Sequence, residues 1–264
     1  MTNLFFGQNY IKQFKELVTK KDSTQIKQLL KDWQKKQGDK PNYYSAAIHF
    51  NYMQTKGEFS TSTEKSEVTG TFNQKYLQKT FSLFNEAIQK FPSRLDFRIG
   101  KIYLLSEISD YRVFTDDIIT AIAYSNRNKW TWEQNIPSLN IEEIFFENLQ
   151  NFVNILFNTK DPYFHNYIRS ICENILKYYP NNLDSYNNIA TTYLVEEKPD
   201  NAISFLEKAQ KISPENAILN YNLGVANAEK KDTKAAIKYY QIAAKFGDAN
   251  QKEAAEKAIE NLNK

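Results

Sequence analysis

The side chains of this chain that could perform chemistry are few and widely separated. Its 264 residues include one cysteine, Cys172, and two histidines, His49 and His165. On a helix, His165 and Cys172 would share a face but lie about 10 Å apart along the axis, too far for the histidine to activate the thiol. The two histidines also lack the spacing of metal ligands. We therefore expect a non-enzymatic protein without cofactor or metal, in which Cys172 is a buried packing residue.

Three basic side chains recur at the spacing of one helix face. Arg94, Arg98 and Lys101 stand at positions i, i+4 and i+7. The opposite face of the same helix carries the apolar Leu95 and Ile99. One interpretation is a groove that binds an acidic peptide or a carboxylate. The other is an ordinary solvated helix face.

The composition excludes several classes of protein. Hydrophobic residues make up 41% of the chain and aromatic residues 14%, which is enough to form a folded core. No apolar run approaches the roughly 18 residues that cross a bilayer. The 7 glycines form no phosphate-binding loop, and a net charge of +3 is too small to indicate a nucleic-acid partner. Because no basic and apolar leader begins the sequence, we expect a cytoplasmic protein, or a periplasmic or secreted one if a signal peptide precedes residue 1 in the native gene.

The elements that position these side chains are predicted to be helices, because apolar residues recur at helical spacing along nearly the whole chain. Two stretches break the pattern. Residues 57–72 are rich in Ser, Thr and Glu and are predicted to be a loop insertion, or a small hairpin formed by its two ends. Residues 129–140 are an irregular connector that contains Trp130 and Trp132. These two rings could anchor a partner or could pack as a plug over a break between repeats.

Two stretches near the C-terminus align at an offset of 34 positions. The first stretch contributes Tyr186, Ile189, Ala190, Ala202, Leu206 and Ala209, and the second contributes Asn220, Leu223, Gly224, Ala236, Tyr240 and Ala243. Pro180 and Pro214 share the same offset. Small residues allow two helices to approach closely, bulky ones fill the space between neighbouring pairs, and proline ends a unit. This pattern resembles the tetratricopeptide repeat.

The resemblance implies an all-α, right-handed α-solenoid of about six antiparallel helix pairs, with a capping helix that covers the last exposed interface. Upstream, Ile99, Gly100 and Tyr103 resemble another first-helix signature, and the wider layout resembles tetratricopeptide-repeat proteins of bacteria. The expected organisation is a single domain over 1–264, with degenerate helix pairs over 1–56 and 73–178, two clear repeats over 183–247 and the capping helix over 249–263.

In peptide-binding members of this family the first helix of each pair lines the concave surface. Carried over to this chain, that surface would show Asn187, Asn188, Thr191, Tyr221 and Asn222. Members that bind chaperone tails use a Lys and Asn clamp, whose positions hold Asn187 and Thr191 here, so a clamp of that kind is not expected. A groove lined by Asn and Tyr would instead hydrogen-bond an extended peptide backbone.

The resulting prediction is a non-catalytic scaffold or adaptor that binds a protein or peptide. The identity of that partner and the oligomeric state of this chain stay open. Two other functions remain as alternatives. One is a component of a bacterial envelope or secretion-assembly complex. The other is an RNA-binding helical-repeat protein, which would require a continuous basic groove.

Overall fold

A computed structural model describes residues 2–58, 72–132 and 140–264, with side chains from residue 9 onward. The described residues form thirteen α-helices, and the prediction of an all-α fold built from adjacent helix pairs is confirmed. The helices are α1 (Thr2–Thr19), α2 (Ser23–Gln37), α3 (Pro41–Thr55), α4 (Gln74–Lys90), α5 (Leu95–Glu107), α6 (Tyr111–Ser125), α7 (Ile141–Asn158), α8 (His165–Tyr178), α9 (Leu183–Val195), α10 (Pro199–Ile212), α11 (Ala217–Glu229), α12 (Thr233–Phe246) and α13 (Ala249–Leu262). Most of the predicted insertion at 57–72 and the second half of the connector at 129–140 lie outside the described residues.

The helices group into two compact units. Unit 1 comprises Met1–Glu107 and Asn128–Glu142, and unit 2 comprises Ile108–Arg127 and Glu143–Lys264. The expectation of one solenoid domain over 1–264 stays a prediction. Within the described residues, no helix has both the length and the apolar character required to cross a bilayer.

A left-handed residue follows every odd-numbered helix from α1 to α11. The six residues, with φ between 54° and 71°, are Lys21, Gly57, Ser109, Lys160, Glu197 and Lys231. Around Glu197, the amide of Lys198 donates to the carbonyl of Tyr193 at 2.8 Å, which is the bond that closes a Schellman turn. We call the helix before each such turn a first helix and the helix after it a second helix.

The return turns, from a second helix to the next first helix, are set by proline and asparagine. Pro180 and Pro214 each follow a helix end, and neither residue can continue a helix. Asn182 and Asn216 then cap α9 and α11, because their side chains accept hydrogen bonds from backbone amides one turn later, at 2.8 and 3.0 Å. The sequence therefore determines both ends of these helices.

Small residues bring the last helix pairs close together. A Cβ added at Gly224 in α11 would lie 2.6 Å from the ring of Tyr240 in α12, so only glycine permits this approach. Ala236 and Ala243 are fully buried in the same interface. Helix α13 covers it with Ala255, which is also fully buried. The small and bulky residues of the second repeat therefore have the packing roles that the repeat pattern predicts.

Gly100 does not have the role that its sequence context predicts. The Ile99-Gly100 pair resembles the Leu223-Gly224 pair, in which the glycine faces the second helix of its own repeat. A Cβ at Gly100 would instead lie 3.0 Å from the ring of Phe84 in α4, the helix that precedes it. Gly100 therefore lies in a first helix, as the resemblance implies, but it faces α4, the helix before it, whereas Gly224 faces α12, the helix after it.

Candidate functional site

In unit 2, three first helices lie side by side and are joined by side-chain amides. Gln150 in α7 accepts a hydrogen bond at 2.9 Å from the amide nitrogen of Asn188 in α9. Asn222 in α11 donates at 2.7 Å to the amide oxygen of Asn187 in α9. We call these four residues the amide face. Three of its members, all except Gln150, were singled out from the sequence.

The Asn187–Asn222 pair keeps hydrogen-bonding capacity for a ligand. The bond between them uses the Oδ1 atom of Asn187 and the Nδ2 atom of Asn222. Within the part of the chain that the structure describes, the remaining Nδ2 of Asn187 and Oδ1 of Asn222 have no partner. Both side chains are half-buried, so one donor and one acceptor are presented at fixed positions on the amide face.

The other two residues predicted for this surface contact the backbone of α9 and the core of the last helices. The hydroxyl of Thr191 donates at 2.9 Å to the backbone carbonyl of Asn187, one turn earlier in α9. The ring of Tyr221 lies 5.3 Å from the ring of Tyr240 and packs against the core of α12 and α13. Replacement of Tyr221 by alanine would therefore disturb the core as well as the surface.

Cys172 is buried behind the amide face. Its side chain is fully inaccessible, and burial raises the pKa of the thiol to about 12, although Ser185 and Asn188 lie within hydrogen-bond distance. A thiol in this state is a packing group and not a nucleophile. The prediction of a buried cysteine is confirmed.

His165 belongs to a cluster of hydrogen-bonding side chains around the carboxylate of Glu196, which no sequence pattern predicted. One carboxylate oxygen of Glu196 lies 3.1 Å from Nδ1 of His165 and 2.7 Å from the guanidinium of Arg169, and the other lies 2.8 Å from Lys198. Burial alone would raise the pKa of Glu196, but the hydrogen bonds from Lys198, Arg169 and His165 outweigh it and lower the pKa to about 2. The cluster ties the start of α8 to the end of α9.

In unit 1, Arg94 departs from the predicted basic stripe. It lies just before the first residue of α5, is 7% exposed, and donates two hydrogen bonds of 2.7 Å to the carboxylate of Asp96. Its guanidinium also lies 4.7 Å from the ring centre of Phe97. Arg94 occupies the position that Asn182 and Asn216 hold in unit 2, where the residue before the helix caps it. Arginine has no acceptor atom and cannot cap the helix as asparagine does, and the amide of Leu95, the first in α5, donates to the carbonyl of Thr131 at 3.1 Å.

The Trp-containing connector therefore packs against the start of α5. The amide of Thr131 donates to the carbonyl of Ser93 at 2.9 Å, so two backbone hydrogen bonds join the segments. The guanidinium of Arg98 lies 5.6 Å from the ring centre of Trp130. Lys101 is half-buried. Of the predicted stripe, only Arg98 and Lys101 lie within the helix, and Arg98 packs on the connector. These contacts favour the plug over the partner anchor for Trp130.

Unit 1 has a cavity of about 330 Å³ that is lined by residues of α3, α4 and α5, Gly100 among them. Gly100 lies six positions after Arg94, just as Asn188 follows Asn182 and Asn222 follows Asn216. The equivalent position therefore carries an amide in unit 2 and only hydrogen in unit 1. Phe84 and Phe97 contribute apolar parts of the cavity wall, and Asp96 and Glu107 also line it, near the two ends of α5.

A second cavity of about 410 Å³ lies beside the first, between α1, α2 and α3. The two cavities share Ser45 and His49 as lining residues. Within the described residues, the buried hydroxyl of Ser45 and the buried indole nitrogen of Trp33 have no hydrogen-bond partner. Buried polar groups without partners are costly, so both reduce the stability of unit 1. The described residues contain no cluster of three or more His, Cys, Asp or Glu side chains suited to a metal ion.

Comparison with known proteins identifies the repeat. Residues 183–216 match the family model of the tetratricopeptide repeat, so the first of the two repeats seen in the sequence is recognised independently. The resemblance to the tetratricopeptide-repeat family is confirmed. No curated protein matches the sequence significantly.

Several solved structures are similar to this chain. One is YrrB, described as a tetratricopeptide-repeat protein with an unusual peptide-binding site, which is 14% identical over 86% of this chain and 97% of its own, with a TM-score of 0.45. Another is PilW, a type IV pilus biogenesis factor, at 11% identity over 94% and 97%, with a TM-score of 0.43. PilF of Pseudomonas aeruginosa is 13% identical over 83% and 88%, with a TM-score of 0.42. At these identities and scores, no partner is transferred from these proteins to this chain.

Proposed function

We propose that this chain, a tetratricopeptide-repeat protein, is a non-catalytic scaffold that binds an extended segment of a partner protein on its amide face. The observation that carries the proposal is the Asn187–Asn222 pair, which leaves one donor and one acceptor at fixed positions. An extended peptide presents N–H donors and C=O acceptors along each edge. The Nδ2 of Asn187 would donate to a peptide carbonyl, and the Oδ1 of Asn222 would accept from a peptide amide.

The amide face is arranged before any ligand binds. Asn187 is held by Asn222, and Asn188 is held by Gln150, so these side chains lose little rotamer freedom on binding. A preformed surface of this kind gains affinity because it avoids the cost of ordering flexible groups.

The surroundings of Cys172 support a role in binding and not in catalysis. This thiol is fully buried with a pKa of about 12, so it is not available as a nucleophile at neutral pH. His165, the other candidate in the same helix, is engaged by Glu196. The two reactive residues singled out from the sequence in unit 2 therefore have structural partners.

The test uses dodecapeptides selected from a random display library against the full chain. Binding of each purified peptide is measured by fluorescence anisotropy for the unmodified protein and for Asn187→Ala and Asn222→Ala. The matched control is Asn201→Ala, which removes an exposed asparagine from the second helix α10.

We expect the two amide-face variants to weaken binding at least tenfold and the control to leave it unchanged. Equal affinities for all four proteins would overturn the proposal. Circular dichroism melting curves would show that the variants are folded, since both replaced side chains are only half-buried.

A further inference from the structure

An exposed acidic and an exposed apolar side chain lie beside the Asn187–Asn222 pair. Asp184 lies three residues before Asn187 in α9, and Ile218 lies four residues before Asn222 in α11, so each is one helical turn from the pair on the same helix face. Ile218 is 51% exposed, and Asp184 is exposed as well. We propose that the segment bound on the amide face carries a basic side chain that contacts Asp184 and, two residues away, an apolar side chain that packs on Ile218.

The Asn187–Asn222 pair sets the direction of the bound segment. The free donor belongs to α9 and the free acceptor belongs to α11, so a peptide that uses both runs across the two helices. One edge of the peptide faces the pair, and its side chains therefore point alternately towards the N-terminal and the C-terminal ends of the helices. Every second side chain thus lies near the first turns of α9 and α11, which carry Asp184 and Ile218.

The spacing of the two helices matches two residues of an extended chain. Asp184 and Ile218 hold equivalent positions of the two repeats, 34 residues apart in sequence. Packed helices lie about 8–10 Å apart, and alternate side chains of an extended peptide are about 6.6 Å apart. The flexible four-carbon stem of a lysine covers the remaining distance. One segment can therefore contact Asp184 and Ile218 together.

Charge complementarity determines the basic side chain of the ligand. Within the described residues, the exposed carboxylate of Asp184 forms no ion pair, so it is available to a cation of the partner. Asp200, an exposed acid near the start of α10, already pairs with Lys230. The amide face therefore has an unpaired negative charge at one fixed position.

Ile218 accounts for the apolar side chain of the ligand. Its neighbours Ala217 and Leu219 are buried, whereas half of the isoleucine side chain stays in contact with water. An apolar side chain that covers it removes hydrophobic surface from water on both partners. Ile212 and Phe246 are also exposed, but they are the last residues of the second helices α10 and α12. Ile218 is thus the exposed large apolar residue that adjoins the Asn187–Asn222 pair.

This inference deepens the proposed function and rests on it, because both contacts are placed relative to a peptide that Asn187 and Asn222 hold by its backbone. Backbone hydrogen bonds alone give no sequence preference. Asp184 and Ile218 would add one, for a basic and an apolar residue separated by one position.

The test uses a fluorescein-labelled heptapeptide, Ser-Lys-Ser-Leu-Ser-Lys-Ser, with both ends blocked. Its symmetry places a lysine two residues from the leucine whichever way the chain runs. One control peptide has acetyl-lysine in place of both lysines, and the other has serine in place of leucine. Fluorescence anisotropy with the full chain should show about threefold weaker binding for the first control and at least fivefold weaker binding for the second, as expected for an exposed ion pair and a partly buried apolar side chain.

Variants assign each preference to its residue. Asp184→Asn should remove the preference for lysine and keep that for leucine, and Ile218→Ser should do the reverse. The matched controls are Glu207→Gln and Ile212→Ser, which replace exposed residues of the second helix α10 and should keep both preferences. In about 1 M salt, where charges are screened beyond about 3 Å, the preference for lysine should fall and that for leucine should persist.

Absence of measurable binding by the parent peptide would overturn the inference. So would either preference missing in the unmodified protein, or kept in the variant that should remove it. A failure of this kind is distinct from a failure of the proposed function. If library-selected peptides still lose affinity in Asn187→Ala and Asn222→Ala, the amide face binds peptides and only the contacts with Asp184 and Ile218 are wrong.

Discussion

The same position of a first helix holds glycine in unit 1 and asparagine in unit 2. Asn188 and Asn222 use it to join neighbouring first helices through hydrogen bonds of 2.9 and 2.7 Å. At Gly100 the ring of Phe84 packs so closely that an added Cβ would lie 3.0 Å from it, and a cavity lined by Phe84, Phe97 and Gly100 lies alongside. A repeat architecture thus fixes where a side chain points, while the residue at that point determines whether the surface is a polar face or a pocket.

Alanine substitutions at Gly224 and Gly100 test how tightly each glycine is packed against its neighbouring helix. In Gly224→Ala the new Cβ would lie 2.6 Å from the ring of Tyr240, and such overpacking costs about 1–3 kcal/mol, only partly offset by the roughly 1 kcal/mol gained in helix propensity. In Gly100→Ala the contact with Phe84 is 3.0 Å, so the two effects should nearly cancel. Urea unfolding should therefore show a clear decrease in the free energy of unfolding for Gly224→Ala only. Equal losses would mean that the two interfaces are packed alike.

The carboxylates of the two units also differ in their surroundings. Glu196 contacts three basic groups and is 17% exposed, whereas Glu107 is one-third exposed. We expect Glu196→Gln to lower the free energy of unfolding at pH 7 by about 1.5–3 kcal/mol, because charged hydrogen bonds are lost, and Glu107→Gln by less than about 1 kcal/mol.

The pH dependence of the free energy of unfolding tests whether the ionised form of Glu196 stabilises the fold. Because the folded pKa of Glu196 is lowered from 4.5 to about 2, its contribution is fully present above pH 4.5 and is lost as the pH falls towards 2. The stability gap between the unmodified protein and Glu196→Gln should narrow over that range. A gap that stays constant from pH 7 to pH 2 would show that ionisation of Glu196 does not stabilise the fold.

The smallest expected effect concerns the turn between α11 and α12. Lys231 has φ of 63°, which costs a side-chain residue about 1–2 kcal/mol, while glycine in its place adds about 0.4–1 kcal/mol of unfolded-state entropy. Lys231→Gly should therefore stabilise the protein by roughly 0.5–1 kcal/mol. Lys230→Gly is the matched control, since Lys230 has an ordinary helical conformation with φ of −72° and should show no gain. A gain in both variants would point to the loss of a lysine and not to relief of the backbone.

Where the repeat is regular, the sequence predicts the structure closely. The capping helix expected over 249–263 is observed as α13 (Ala249–Leu262), and the last helix of the repeats expected over 183–247 is α12 (Thr233–Phe246). Asp232 and Asp248 cap these helices, and small residues mark their packed faces. The conformation of the turns after first helices could not be predicted from the sequence. Five of the six left-handed positions carry Lys, Ser or Glu and not glycine, so local sequence gives no sign of their conformation.

The sites in unit 1 could not be predicted because the alignment of its repeats was missed. Helical periodicity runs through Arg94 and suggests a stripe, but Phe91-Pro92 corresponds to Tyr179-Pro180 and places Arg94 before the helix. That correspondence was the available signal for the position of Gly100. No sequence signal indicated the Glu196 cluster, since its members come from α8 and from the turn between α9 and α10, about 30 residues further along the chain.

Side-chain amide resonances of asparagine test the central claim most directly. The measurement adds a library-selected peptide to the full chain labelled with ¹⁵N at asparagine, with Asn187→Ala and Asn222→Ala used for assignment. If the amide face binds the peptide, the signals of Asn187 and Asn222 shift in proportion to occupancy, while that of Asn201 in α10 stays in place. Saturating peptide that leaves Asn187 and Asn222 unchanged would contradict peptide binding on the amide face.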